Sequence, residues 1–346
     1  MSATVQLIAA TSEDDVVAAV RDARSAGSRL AVRGQGSLLD RLGGPEAGAQ
    51  VVSTAGLTGV VAHVPDDLIV TVRAGTPLAE LRAVLAAEGQ ECPIEPDPAA
   101  LDGADTPGTV GGRLASALAG PRQLDAGRVR DWVLRVRFVA GDGALITYGG
   151  VTVKDVTGYD LTRLMVGSWG SLGVLTEVTL KVRPIARHRT WQVSDDPDAD
   201  PIGRLHRPAG VLRGADRTWV RLEGHPDDVA ADVVTLGLRG STAPELPSTA
   251  RLAVDPPLLA DVARTAREAG ATVVTQDGVG VAHLDGDATA IAAARTAAES
   301  AGGALLVMDP TLGLDAFGGA RTLPTMAARV ADALDPDHVL AGRWRR

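Results

Sequence analysis

Apolar positions in the first two hundred residues change period several times, and the changes mark the elements. In Ser12–Gly27, Val16, Val17, Val20 and Ala23 recur at helical spacing, with an N-cap serine and acids at the start and glycine at the end. Leu30–Val32, Val51–Val52 and Leu68–Val72 are short apolar runs that predict strands, and Pro77–Ala87 is a helix with proline at its start and Gly89 just beyond its end. The first quarter therefore reads β-α-β, closed by the proline-rich loop Glu91–Pro107. Two strands, Trp132–Ala140 and Ala144–Tyr148, flank Gly141-Asp142-Gly143, a hairpin signal. A long alternating strand follows over Gly173–Pro184. Residues 185–210, with Pro201, Pro208 and the acidic run Ser194–Asp200, predict a linker.

Beyond the linker the pattern repeats faintly. Thr218–Gly224 precedes a helical segment at Pro226–Leu238, and Gly280–Gly286 precedes another at Ala288–Ala301. Two such units predict a small antiparallel sheet with helices on one face, a ferredoxin-like α+β layer over residues 211–320. Two-residue alternation assigns the faces. Val220 and Leu222, paired with Ala282 and Leu284, turn towards the helices. Trp219, Arg221 and Glu223 then share the other face with Val281, His283 and Asp285, a face too polar for a core and expected to look at the first domain.

Composition narrows the chemistry. At 346 residues the chain is long enough for two domains, with 45% hydrophobic and only 3% aromatic residues, so cores must be built from Val, Leu and Ala. A net charge of -9 argues against a nucleic-acid partner. The single cysteine, Cys92, excludes an internal disulfide and a cysteine-ligated iron–sulfur cluster within the chain. The histidines lack ligand spacing, so no metal site is expected. No signal-like N-terminus and no run of 18 apolar residues is present, and a cytoplasmic location is the expectation.

Three glycine-rich loops stand beside strands: Val32–Ser37, Pro107–Pro121 and the segment containing Gly167, Gly170 and Gly173. Glycine lets backbone approach something flat or anionic where a Cβ would clash. A dinucleotide fingerprint of the GxGxxG kind fails, because Leu39 stands where its third glycine belongs. No phosphate loop, zinc-protease or nucleophile-elbow motif occurs.

Arg33-Gly34-Gln35-Gly36-Ser37, then Pro107-Gly108-Thr109-Val110-Gly111-Gly112, then Val153–Leu161 and Gly167–Val182 together resemble the FAD-binding (PCMH-type) fold of vanillyl-alcohol-oxidase type. Their order and spacing are most similar to the smaller FAD-binding subunits of glycolate oxidases. The resemblance implies an α+β architecture: a two-subdomain FAD-binding domain at 1–184, a cap at 211–320, and a segment at 321–346 that returns to the first domain. It also implies that backbone N–H groups of the first two loops form a nest for the FAD diphosphate. Arg33 would add charge, Ser37 and Thr109 hydroxyls, and Ser116 and Gly120 would close the second loop. Gly158-Tyr159 and Gly173-Val174 would lie along the isoalloxazine or ribityl region. Ser37 and Leu38 occupy the stretch that carries a flavin-linked histidine in some relatives, so the FAD is expected to be non-covalent.

Three departures from the family pattern, at Gln35, Ala117 and Asp125-Ala126, each remove a donor or add bulk near the cofactor. Two readings of function stay open. In one, the chain belongs to a flavin-dependent oxidase or dehydrogenase of 2-hydroxy acids such as glycolate or D-lactate, with Arg221 as carboxylate clamp and His283 as general base. In the other, it is an accessory or degenerate subunit. The resemblance implies a larger flavoprotein subunit and an iron–sulfur subunit as partners.

Overall fold

A computed structural model describes residues 6–94, 107–151, 160–318 and 325–341. The first subdomain consists of β1 (Leu7–Ala9), α1 (Glu13–Ser25), β2 (Leu30–Arg33) and β3 (Gln50–Ser53). Its sheet is parallel, in the order β1-β3-β2. Helix α1 is stopped at its N-terminus by a capping box: the Ser12 hydroxyl accepts from the Asp15 N–H, and the Asp15 carboxylate accepts from the Ser12 N–H. Its buried stripe, Val16, Ala19, Val20 and Ala23, packs with Leu30, Val52, Val139 and Val174.

The second subdomain contains β4 (Val60–Val64), β5 (Ile69–Arg73), α2 (Leu78–Ala87), β6 (Gln90–Glu91), α3 (Val110–Ser116), α4 (Gln123–Ala126), β7 (Val133–Val139), β8 (Leu145–Gly149), α5 (Leu161–Met165), β9 (Val174–Lys181) and β10 (Arg183–Pro184). Five of the strands form an antiparallel sheet in the order β4-β5-β9-β7-β8. The hairpin β7–β8 turns at Gly143, whose φ of 82° suits glycine. Strand β9 sits at the centre of this sheet and is buried along nearly all its length. Cys92 is fully inside the adjoining core, beside β6.

The cap begins earlier than its sequence suggests. It comprises β11 (His188–Ser194), α6 (Pro201–Arg204), β12 (Gly210–Arg213), β13 (Thr218–Gly224), α7 (Pro226–Leu236), β14 (Arg239–Ser241), β15 (Ala250–Ala253), α8 (Leu259–Glu268), β16 (Thr272–Gln276), β17 (Val281–Asp285), α9 (Ala288–Ser300) and β18 (Ala304–Val307). Strand β11 falls within the stretch expected as a linker, yet it pairs with β13 over seven residues. Its alternating residues were masked by the prolines and acids that follow them.

The eight strands form one antiparallel sheet, β14-β11-β13-β12-β16-β17-β15-β18. Each half is a complete β-α-β-β-α-β unit with its fourth strand beside the first, and the halves join edge to edge through β12 and β16. The repeat is therefore twice as large as the sequence suggests, and β13 does not pair with β17: two strands stand between them. The faces divide as alternation requires. Val220 and Leu222 pack under α7, and Ala282 and Leu284 under α8 and α9. Arg221 and His283 share the opposite face, which meets the first domain at Ala119–Arg122.

A final helix, α10 (Thr325–Leu334), brings the chain back to the first subdomain. There Leu340 bridges Leu30, extending the parallel sheet. The buried Asp335 carboxylate fixes this return by accepting the Val339 and Leu340 N–H groups at 2.8 and 3.0 Å. Val339 and Leu340 are buried, and each contributes about 1.5–3 kcal/mol relative to exposure. Asp335→Ala removes a carboxylate acceptor from two buried amides, so a loss of about 2–4 kcal/mol in a chemical-denaturation curve is expected, with faster proteolysis near residue 335.

Candidate functional site

Two cavities lie where the subdomains and the cap meet. The first, of about 140 Å³, is lined by Val32–Leu39 of the first loop, by residues of α3 and the loop before it, and by Trp169, Gly170, Gly173 and Leu175. Gly34 makes the juxtaposition possible: a Cβ there would sit 2.4 Å from Thr109 Oγ1. That hydroxyl is itself engaged as the N-cap of α3, accepting from the Gly112 N–H at 3.2 Å.

The two loops use their backbone differently. Among the described residues, none of the N–H groups from Gly34 to Leu39 donates to a protein acceptor. The second loop's amides are committed: Val110 donates to Thr76 O at 2.9 Å, Gly111 to Ala74 O at 2.7 Å and Gly108 to the Gln35 Oε1 at 3.1 Å. A nest was expected from both loops, but only the first keeps a continuous run of amides without protein acceptors among the described residues. The second loop is a buttress, because its amides fasten α3 to the segment after β5. Unpartnered peptide donors facing a cleft are what a diphosphate requires. The Arg33 guanidinium lies over Gly36 and pairs with Asp40 at 3.1 Å. The chain's own residues therefore fit the anionic portion of FAD.

Other expected cofactor residues divide. Ser37, Gly108, Thr109, Gly111, Gly112, Ser116 and Gly173 line the first cavity, although the Ser116 hydroxyl already donates to Arg113 O. Pro107 lines the second. Gly120 lines neither, and the Val174 side chain is buried in the core beside α1. Gly158 and Tyr159 fall outside the described residues.

The second cavity, about 460 Å³, is bounded by Ser37, Leu38 and Arg41 of the first loop region, by Arg113, Leu118 and Ala119, and by Arg251, His283 and Met308 of the cap. His283 is 7% exposed, with Nε2 2.7 Å from the Gln276 amide. Burial, with help from the neighbouring Arg251 charge, pushes its pKa down to about 3. His283 is thus neutral at physiological pH and a weak base. Arg251, opposite His283 across the β15–β17 pair, was not singled out in the sequence. Its position in the strand Ala250–Ala253 was the available signal, but only pairing with β17 reveals its neighbour.

Arg221, expected as a carboxylate clamp, is not in this cavity. Three strand spacings, roughly 14 Å, separate β13 from β17. Its side chain is fully buried, with Nε 3.1 Å from Glu223 Oε1 and the guanidinium over the Trp191 ring. Arg221 belongs instead to a charge cluster joining the domains. Glu91 pairs with Arg122 at 2.7 Å and Arg183 at 3.0 Å, and Glu223 with Arg183 at 3.1 Å. Asp125 holds Arg183 at 2.7 Å and Arg207 at 2.9 Å. Burial by itself would raise the Glu91 carboxyl, but Arg122 and Arg183 hold it below its ordinary value. The departure at Asp125 is thus a domain contact. No group of His, Cys, Asp and Glu among the described residues could hold a metal, and none of the described helices is long and apolar enough to cross a membrane.

Residues 5–149 match the family model described as FAD binding domain. This part of the chain, less than half of its length, is similar to FAD binding domains. Over 203 residues the chain is 38% identical to the glycolate oxidase subunit GlcE of Escherichia coli, covering 57% of this chain and 56% of that protein. It is 32% identical over 180 residues to the D-lactate dehydrogenase of Archaeoglobus fulgidus, covering 52% of this chain and 39% of that one. To the glycolate oxidase subunit GlcD of Bacillus subtilis it is 34% identical over 158 residues, covering 45% and 32%. The matches thus span about half or less of these relatives' lengths. Among solved structures, alkyldihydroxyacetonephosphate synthase superposes with a TM-score of 0.66 at 14% identity, over 97% of this chain and 75% of that one. The α+β fold of the FAD domain and cap is shared with that enzyme.

Two outcomes follow. The unfolded chain protonates His283 below pH about 6.5 and the folded chain only near pH 3, so protons are taken up on unfolding in that window and His283 destabilises the fold progressively as pH falls through it. The melting temperature of His283→Gln should therefore fall less steeply than that of the parent between pH 6.5 and 4.5. Arg221→Gln removes one of three cations facing the buried Glu223 carboxylate, which keeps Arg183 and Arg122, and should cost about 1–3 kcal/mol in denaturant unfolding.

Proposed function

We propose that the chain is a non-covalent FAD-binding subunit of a flavin-dependent oxidoreductase of 2-hydroxy acids. The observation that carries this reading is the run of amides from Gly34 to Leu39, unpartnered among the described residues, in a loop that lines a cleft within the region similar to FAD binding domains. The names of the relatives, glycolate oxidase subunits and D-lactate dehydrogenases, supply the substrate class. Bound FAD would supply hydride acceptance; the chain's residues would hold its diphosphate through the first loop and bring a substrate cavity alongside. Attachment would rest on backbone donors and shape, with Ser37 and Leu38 where a covalent link would need a histidine. A larger flavoprotein subunit and an iron–sulfur subunit are the proposed partners, in a cytoplasmic complex.

One observation favours the accessory form of this reading, a flavin-holding subunit that does not turn over alone. Of the two residues expected to act on the substrate, His283 is a weak base, its pKa pushed down to about 3 by burial, and Arg221 lies outside the substrate-side cavity.

The absorption spectrum of the purified protein tests both parts. It should show a flavin band, and acid precipitation should release FAD quantitatively into the supernatant. If FAD is lost during purification, titration should raise the melting temperature. Gly34→Ala, which pushes the first loop off Thr109, should weaken FAD at least roughly tenfold, about 1.4 kcal/mol. A full chain that neither carries nor binds FAD would rule the proposal out. Anaerobic glycolate or D-lactate should leave the band unbleached in the accessory form and bleach it in a self-sufficient enzyme.

A further inference from the structure

The larger cavity contains a charge for which the described residues supply no counterion. Arg251 reaches inward from β15 and donates through Nη2 to the Ala119 carbonyl at 3.3 Å. Its Nε is buried without a hydrogen-bond partner, and no carboxylate among the described residues forms an ion pair with it. The neighbouring His283 ring is engaged at Nε2 by Gln276; its second nitrogen has no partner among the described residues. Arg41 and Arg113 border the same cavity and donate to the carbonyls of Ser248 and Leu118. The one acid on the wall, Glu245, is exposed to solvent. A half-buried cation without a counterion, one of its N–H groups buried and unbonded, is costly, and a bound anion reduces that cost.

We infer that the cavity between the first glycine loop and the cap sheet binds a small monocarboxylate, with Arg251 as its anchor and the His283 ring as a second hydrogen-bonding partner. The guanidinium is a planar fork matched to a carboxylate. Leu38, Leu118, Leu246 and Met308 on the walls suit a short apolar remainder rather than a polyanion. This deepens the reading of the chain as a subunit of a hydroxy-acid oxidoreductase and rests on that reading for the choice of probes. It transfers the anchoring role from Arg221 to Arg251.

The test is calorimetric and thermal-shift titration of the full chain with D-lactate and with glycolate. Sodium chloride and inorganic phosphate at equal ionic strength, and neutral propane-1,2-diol, are the controls. A saturable response to the carboxylates alone is expected, lost or at least tenfold weaker in Arg251→Gln, with FAD affinity unchanged. Should that variant not fold, Arg251→Lys keeps the charge but removes the fork, and the same tenfold loss is expected. No saturable response, an equal response to chloride or phosphate, or parental affinity in a folded variant overturns the inference. FAD titration of the same samples keeps the two claims apart: flavin binding without a carboxylate response sinks this inference and leaves the proposed function standing.

Discussion

The close approach of Gly34 to Thr109 is the constraint on which the site depends. A side chain at 34 would displace the hydroxyl that caps α3, and the two loops would separate. The second loop fastens itself to Ala74 and Thr76, and its Gly108 amide also bonds the Gln35 side chain of the first. The first loop then crosses it without needing to satisfy its own amides. A fastened loop on one side and donors unpartnered among the described residues on the other would need little reordering to take an anion, as the proposed function requires.

A second constraint holds the cap at a fixed distance from these loops. Three acids, Glu91, Asp125 and Glu223, interleave with arginines from both domains, and several members are almost wholly buried. Such clusters contribute little net stability compared with apolar packing, but a displaced partner leaves a charge stranded. The cluster therefore specifies one docking geometry. Trp169 and Phe317, edge to face with ring centroids 5.0 Å apart, tie the third glycine segment to the far half of the cap. Between these two anchors lies the cavity that carries Arg251 and His283.

Much of the FAD domain was legible in the chain. Helix α1, the β7–β8 hairpin and strand β9 carry strong local signals: a capping serine, a Gly-Asp-Gly turn, and sustained alternation. Strands β11, β15 and β18 were not legible as strands, being short or overshadowed by neighbouring prolines and acids. Helix α8 carries a clear amphipathic stripe, Leu259, Val262, Ala263 and Ala266, yet it lies between the two segments where the repeat is most visible. Face assignment succeeded where pairing failed. Alternation within one strand places Arg221 and His283 on one side of the sheet, but it is silent on how many strands intervene.

The sequence by itself determined the glycine loops, the main elements of the first domain, the sides on which side chains project and the likeness to an FAD-binding fold. All of these depend on residues near one another in the chain or on backbone conformations that only glycine reaches readily. Tertiary structure decided which amides stay unpartnered, which arginine is buried against a carboxylate, and which lies beside a neutral histidine without one. Those properties belong to pairs of residues tens or hundreds of positions apart. Burial and charge act through space, so the same arginine is a strut at 221 and a candidate ligand at 251.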